Sequence, residues 1–161
     1  MNHPTIPDVT LAASDHRRLE RLARVNASQG DPDACFLLGE INRAEVVPDR
    51  AARLTGIVTM GSWVTFWVAW GLPRETRRLV YPEDYTSETT QIPVMSSLGA
   101  ALVGLKIGSE IPFFAAGRTN VVRVERVSRG GPNDVVRALF CNPVVKGKKP
   151  VDEDDPGPSA A

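Results

Sequence analysis

Between Met95 and Gly108 lies the segment that most restricts what this chain can fold into. Ser96 or Ser97 can cap a helix, Leu98-Gly-Ala-Ala-Leu-Val103 is apolar on nearly all sides, and Gly104 is placed to end it. A short helix with no polar side must be enclosed. Strands on either side of it in the sequence point to a sheet as the enclosure.

Those strands are legible. Ser62 to Trp70 alternates, with Val64, Phe66, Val68 and Trp70 toward one face and Trp63, Thr65, Trp67 and Ala69 toward the other. Gly71-Leu-Pro-Arg74 reads as a turn and Thr76 to Tyr81 as a returning strand rich in β-formers. Pro82 to Thr90 reads as a polar loop. After Ile107-Gly108 a second pair is expected, Ile111–Ala115 and Asn120–Val127, turned at Gly117-Arg118. Val135 to Phe140 is a short apolar run that suits either a strand or a helix.

The N-terminal part has a different period. Residues 1–13, with Pro4 and Pro7, read as a loose leader. Ser14 or Asp15 is expected to cap a helix running to about Val25, with Leu19, Leu22 and Ala23 at helical spacing. Asn26 to Gly30 is turn-rich. Asp31-Pro32 is an N-cap followed by proline at the first helical position, and opens a second helix carrying Leu37, Leu38, Ile41 and Ala44. Two such helices make an antiparallel hairpin. The expected fold class is therefore α+β: a leader (1–13), a short N-terminal antiparallel helical hairpin (14–50), an antiparallel sheet curled over one helix (51–142), and a charged tail (143–161). In the tail Lys146-Gly-Lys-Lys149 precedes Asp152-Glu-Asp-Asp155, a composition expected to stay disordered.

Composition narrows the function classes. No apolar run approaches the roughly 20 residues of a membrane span, and no secretory signal opens the chain, so the cytoplasm is expected. Cys35 and Cys141 are far apart and are read as inert small hydrophobes. With His3 and His16 as the histidines, a dedicated transition-metal site is not expected. The 19 basic and 19 acidic residues balance, so the chain is not a general nucleic-acid coat; any nucleic-acid contact would be local or indirect. There is no phosphate loop, nucleophile elbow or Ser/His/Asp set, and neither an enzyme activity nor a cofactor is expected.

Val58-Thr-Met60, Leu79-Val-Tyr-Pro82, Thr89-Thr-Gln-Ile-Pro-Val-Met95 and Leu98-Gly-Ala-Ala-Leu-Val-Gly-Leu105, in that order, resemble the Rnk family. Ser97 to Leu102 is also similar to the helix signature of the GreA/GreB C-terminal domain. The resemblance covers about residues 14–127 and is strongest across 79–108. It implies an FKBP-like C-terminal domain, a short N-terminal coiled coil, and a partner, RNA polymerase, met at the mouth of its secondary channel. The family's contact region falls at Val94, Met95, Ser96, Ser97 and Leu98. GreA and GreB carry an acidic-Ser-Pro triplet before this helix, where this chain has Met95, Ser96 and Ser97. The Gly-Asp pair that usually follows the helix is Gly108-Ser109.

Three further sets of residues are candidates. Cleavage factors of this superfamily use hairpin-tip carboxylates to help hold a catalytic Mg²⁺ in the polymerase. Asp31 and Asp33 occupy the tip here, although capping before Pro32 is the plainer role for Asp31. Arg17, Arg21 and Arg24 fall on one helical face, as a path for RNA or as a solvated surface opposite Leu19 and Leu22. Trp63, Phe66 and Trp67 could stack bases. A strand buried on both faces is the preferred reading, with Trp63 and Trp67 alternatively covering the hairpin. A hairpin of two roughly dozen-residue helices reaches only about 18 Å. The expectation is a transcription regulator that docks without stimulating cleavage. The alternative is an adaptor for nucleotide-metabolism enzymes such as nucleoside diphosphate kinase. An FKBP-like fold raises prolyl isomerisation, but no aromatic-lined pocket is visible under the helix.

Overall fold

The computed structural model describes residues 5–68 and 73–130. Ala69 to Leu72, Val135 to Phe140, Cys141 and the charged tail lie outside them.

The chain begins with β1 (Thr10–Ala12), followed directly by α1 (Ala13–Ala27), α2 (Pro32–Arg43) and β2 (Glu45–Val47). β1 and β2 pair in parallel, and the hairpin closes between them. The leader is thus not loose throughout: Val9, Leu11 and Ala12 are buried. The N–H of Thr10 donates to the carbonyl of Gly104 at 2.9 Å, which ties the leader to the far half of the sequence. The expected cap of α1 is also corrected. Ala12 occupies the N-cap and supplies no side-chain bond. The N–H of Ser14 is met at 2.9 Å by the Asp49 carboxylate, a partner from another part of the chain. α2 begins as its sequence implies, with the Asp31 side chain accepting from the N–H groups of Asp33 and Ala34.

The second half comprises β3 (Trp63–Val68), β4 (Glu75–Val80), β5 (Gln91–Pro93), α3 (Ser97–Leu102), β6 (Glu110–Ala115) and β7 (Arg118–Ser128). They form a five-stranded sheet in the order β5-β4-β3-β7-β6. The sheet is mixed rather than wholly antiparallel, because β5 runs parallel to β4. The loop expected over 82–90 holds a 3₁₀ turn, Pro82–Asp84, and delivers the chain back in the same direction. The turn before β7 is one residue earlier than expected: Ala116 (φ 52°) and Gly117 (φ 73°) are its two left-handed residues. A bulge in the β3–β7 pairing at Thr65/Phe66 explains why β7 alternates imperfectly near Glu125.

α3 sits against β6 and β7 on the concave side, with α2 laid over it and α1 over α2. Its caps are those the sequence suggested: Ser96 accepts from the Gly99 N–H, and Gly104 follows with φ +77°. Gly99, Ala100, Ala101 and Leu102 are all buried. Leu19, Ala23, Leu37 and Ile41 from the hairpin share one apolar cluster with Val64, Phe66, Leu79, Leu102, Val122 and Val124. The hairpin therefore lies along the buried helix. The burial on both faces expected of β3 is complete on one side and partial on the other, where Thr65 is buried. Phe66 is 1% exposed, whereas Trp63 and Trp67 are half-buried on the opposite face and belong neither to the core nor to the residues packed against it.

A candidate partner-binding site where hairpin meets sheet

The segment Val94 to Leu98 is positioned by two constraints. The Val94 N–H donates to the Val80 carbonyl at 2.9 Å, continuing the β4–β5 ladder, and Ser96 then turns the chain into α3. Val94 is fully buried and Met95, Ser96, Ser97 and Leu98 are half-buried. The Ser96 hydroxyl donates to the Pro93 carbonyl at 2.7 Å while accepting from Gly99. The Ser97 hydroxyl donates to Oδ1 of Asp33 at 2.8 Å. The structure thus brings together two sets that sequence reasoning kept apart, the contact segment 94–98 and the hairpin tip.

Both tip carboxylates have partners. Asp31 accepts from the Asp33 N–H at 2.9 Å and from the Ala34 N–H at 3.4 Å; Asp33 accepts from Ser97. Among the described residues no group of three or more His, Cys, Asp or Glu side chains could hold a metal ion. Cys35, next along α2, is exposed. Arg17, Arg21 and Arg24 all face solvent on α1, and Arg24 holds Glu20 one turn earlier at 2.7 Å.

A second cluster, at the other end of the hairpin, was missed by sequence reasoning. The half-buried Asp15 carboxylate accepts from the Met60 N–H at 3.3 Å and from the Tyr81 hydroxyl at 3.2 Å. The Arg18 guanidinium lies 3.7 Å from the Tyr81 ring centre and forms an ion pair with Glu83. Burial pushes the Asp15 carboxyl up, against the opposing effect of the Met60 and Tyr81 bonds. Burial, with the Asp15 charge beside it, also pushes the Tyr81 phenol up. Glu83 is held below its ordinary range by its own backbone N–H and by Arg18, and Asp49 by the Ser14 N–H. The cluster borders two adjoining clefts of about 310 and 540 Å³ that share Asp15, Met60, Gly61 and Arg78. Leu79-Val-Tyr-Pro82 was recognisable in the sequence, but the pairing of Tyr81 with Asp15 spans 66 residues and left no local signal. The cluster fastens the base of the hairpin to the sheet, and the Asp33–Ser97 bond fastens its tip.

The comparisons with known proteins agree with this architecture. Residues 7–47 match the Rnk N-terminus family and residues 53–129 match the family of transcription elongation factor GreA/GreB, C-term. The chain is similar to the regulator of nucleoside diphosphate kinase of Escherichia coli K12, with 35% identity over 106 residues, 65% of this chain and 76% of that protein. The protein of the same name from Shigella flexneri matches equally. Among solved structures, the prokaryotic transcription elongation factor GreA/GreB from Nitrosomonas europaea matches with a TM-score of 0.60 and 31% identity, covering 75% of this chain and 99% of that one. No helix of the described residues is long and apolar enough to cross a membrane. With the hairpin and the sheet each matched in order, this chain belongs to the Rnk family of GreA/GreB-like proteins.

Proposed function

We propose that this protein is a non-enzymatic regulator of transcription that binds RNA polymerase at the entrance of its secondary channel and does not stimulate transcript cleavage. The observation that carries the reading is the match of residues 53–129 to the C-terminal domain of elongation factors, with the buried helix and its cap intact. The short hairpin supports the second clause. α1 and α2 have 15 and 12 residues, a reach of about 22 and 18 Å at 1.5 Å per residue. The tip carboxylates are engaged, Asp31 as a cap and Asp33 with Ser97. A protein that keeps the contact segment without a long acidic tip acts by occupancy, and two proteins sharing one rim exclude each other by mass action. The test is RNA cleavage by backtracked polymerase, with this protein alone and with a cleavage factor added. The expected result is no cleavage alone and inhibition of the added factor. Strong cleavage alone that is lost in the Asp31→Ala/Asp33→Ala protein would refute it. The name of the Escherichia coli relative favours a second reading, an adaptor for nucleoside diphosphate kinase. Co-purification with immobilised chain, probed for polymerase and for the kinase, separates the two.

A further inference from the structure

Among the described residues, the outer face of the sheet carries no helix and is not used in the reading above. Paired residues on neighbouring strands share a face. Pairing therefore sets Trp63 beside Arg78 on β4, Thr65 beside Arg126 on β7, and Trp67 beside Arg123 on β7. The helices occupy the other side, where α3 meets β6 and β7. Trp63 and Trp67 are half-buried and stand outside the core, and Phe114, on the same face of β6, is 64% exposed. Large aromatic side chains are ordinarily used for burial, so two tryptophans turned away from a complete core call for another use.

We propose that this face binds single-stranded RNA, with bases stacked on Trp63 and Trp67 and a phosphate met by Arg126. The two tryptophans are four residues apart on one strand, about 13 Å at 3.3 Å per residue, so that separate bases can reach them. Arg126 has no ion pair among the described residues, whereas Arg78 donates its Nε to the Gly61 carbonyl at 2.9 Å and lines the clefts beside Asp15. Arg123 is shared with Glu110 at 3.3 Å and contributes less. The spacing argues against a protein partner. The buried centre of a protein interface is more apolar than its rim, whereas here Thr65 and the guanidiniums of Arg123 and Arg126 separate the aromatic rings. It also argues for a single strand, because only unpaired bases offer their π-faces. Arg74 is likewise held by Glu125 at 2.7 Å, so Arg126 is the cation this face offers among the described residues. The choice of RNA over DNA rests on the proposed site at the polymerase, whose product is RNA.

The experiment titrates the full chain with a fluorescein-labelled oligouridylate of about twelve nucleotides, following anisotropy and tryptophan emission at two salt concentrations. Saturable binding that quenches emission and weakens with salt is expected. Arg126→Glu and Trp67→Leu should each weaken binding about tenfold or more with unchanged melting temperature. Should Trp67→Leu fail to fold, Arg126→Glu alone carries the test, since its side chain makes no ion pair among the described residues. Arg21→Glu, on the rival basic stripe of α1, should have little effect. Absence of binding at low salt overturns the proposal. Loss of binding in Arg21→Glu, with Arg126→Glu and Trp67→Leu unaffected, also overturns it and moves the RNA to the helix. If these two sheet-face variants lose polymerase affinity while RNA binding is unchanged, the face is a protein interface and the proposal fails. RNA binding without polymerase binding would support this face and remove the polymerase reading, so the two stand or fall separately.

Discussion

Gly99 lies where α3 crosses the strand that leads into it. A Cβ there would stand 2.2 Å from the Pro93 carbonyl oxygen and 2.8 Å from the Val94 Cα. Both are backbone atoms and neither can rotate away. Gly99→Ala should therefore destabilise the protein by about 2–3 kcal/mol, as overpacking does, measured as a lower urea midpoint. Gly39, within α2, has nothing within 4 Å of a Cβ, and Gly39→Ala should stabilise by about 0.5–1 kcal/mol. Equal effects at the two positions would contradict the close crossing. Asp15 sets a pH dependence. Its carboxyl is raised above 3.8, chiefly by burial, so the folded state holds the proton more tightly than the unfolded chain. That contribution is fully present below 3.8 and lost as pH rises through the raised folded value. At neutral pH the buried charge opposes folding, and Asp15→Asn, which keeps an acceptor for Met60 and Tyr81, should be at least as stable as the parent. The parent should gain on the variant as pH falls through that window. Glu83 and Asp49 are lowered and act in the opposite sense, but both remain in the variant and cancel in the difference. A variant markedly less stable at neutral pH would mean that the charge itself, through Arg18, holds the junction.

At the scale of elements, the β6–β7 turn departs from its best residues. Ala116 and Gly117 both have positive φ, the arrangement of a two-residue turn for which Asn-Gly is favoured. Alanine in that conformation costs about 1–2 kcal/mol. Ala116→Asn should recover about half of this, read as a raised melting temperature, and no gain would indicate a different turn in solution. The hairpin helices show how local signals and distant partners combine. α2 carries its own start in Asp31-Pro32. α1 carries none that it uses: Ser14 looks like a cap in the sequence, but Asp49 fulfils the role from 35 residues away. β2 and β5 are three residues each, too short to show a period, and exist because a neighbouring strand completes their hydrogen bonds.

The whole molecule shares one core between hairpin and sheet, and this sets how it unfolds. Leu19 and Leu37 pack in the same cluster as Phe66 and Val124, while Gly104 receives the leader so closely that a Cβ there would meet Val9 at 2.5 Å. Helix loss followed by far-UV circular dichroism and sheet loss followed by tryptophan emission should coincide in one cooperative transition. A separate early helical transition would show that the hairpin is an independent unit. What the sequence determined by itself is whatever depends on near neighbours: the α+β class, the enclosed helix with its Ser96 cap and Gly104 stop, the Asp31-Pro32 start, the main strands, and the family. These follow from period, capping and turn chemistry within a few residues. Only the tertiary structure decided that the hairpin lies down, that Asp33 meets Ser97 and Asp15 meets Tyr81, and that Trp63 and Trp67 face away from the core. In a sheet the period of two says which residues share a face but not which face is covered. Here the short helix α3 covers one side, with α2 packed on that helix and α1 on α2, and on the other side Trp63 and Trp67 stay half-buried.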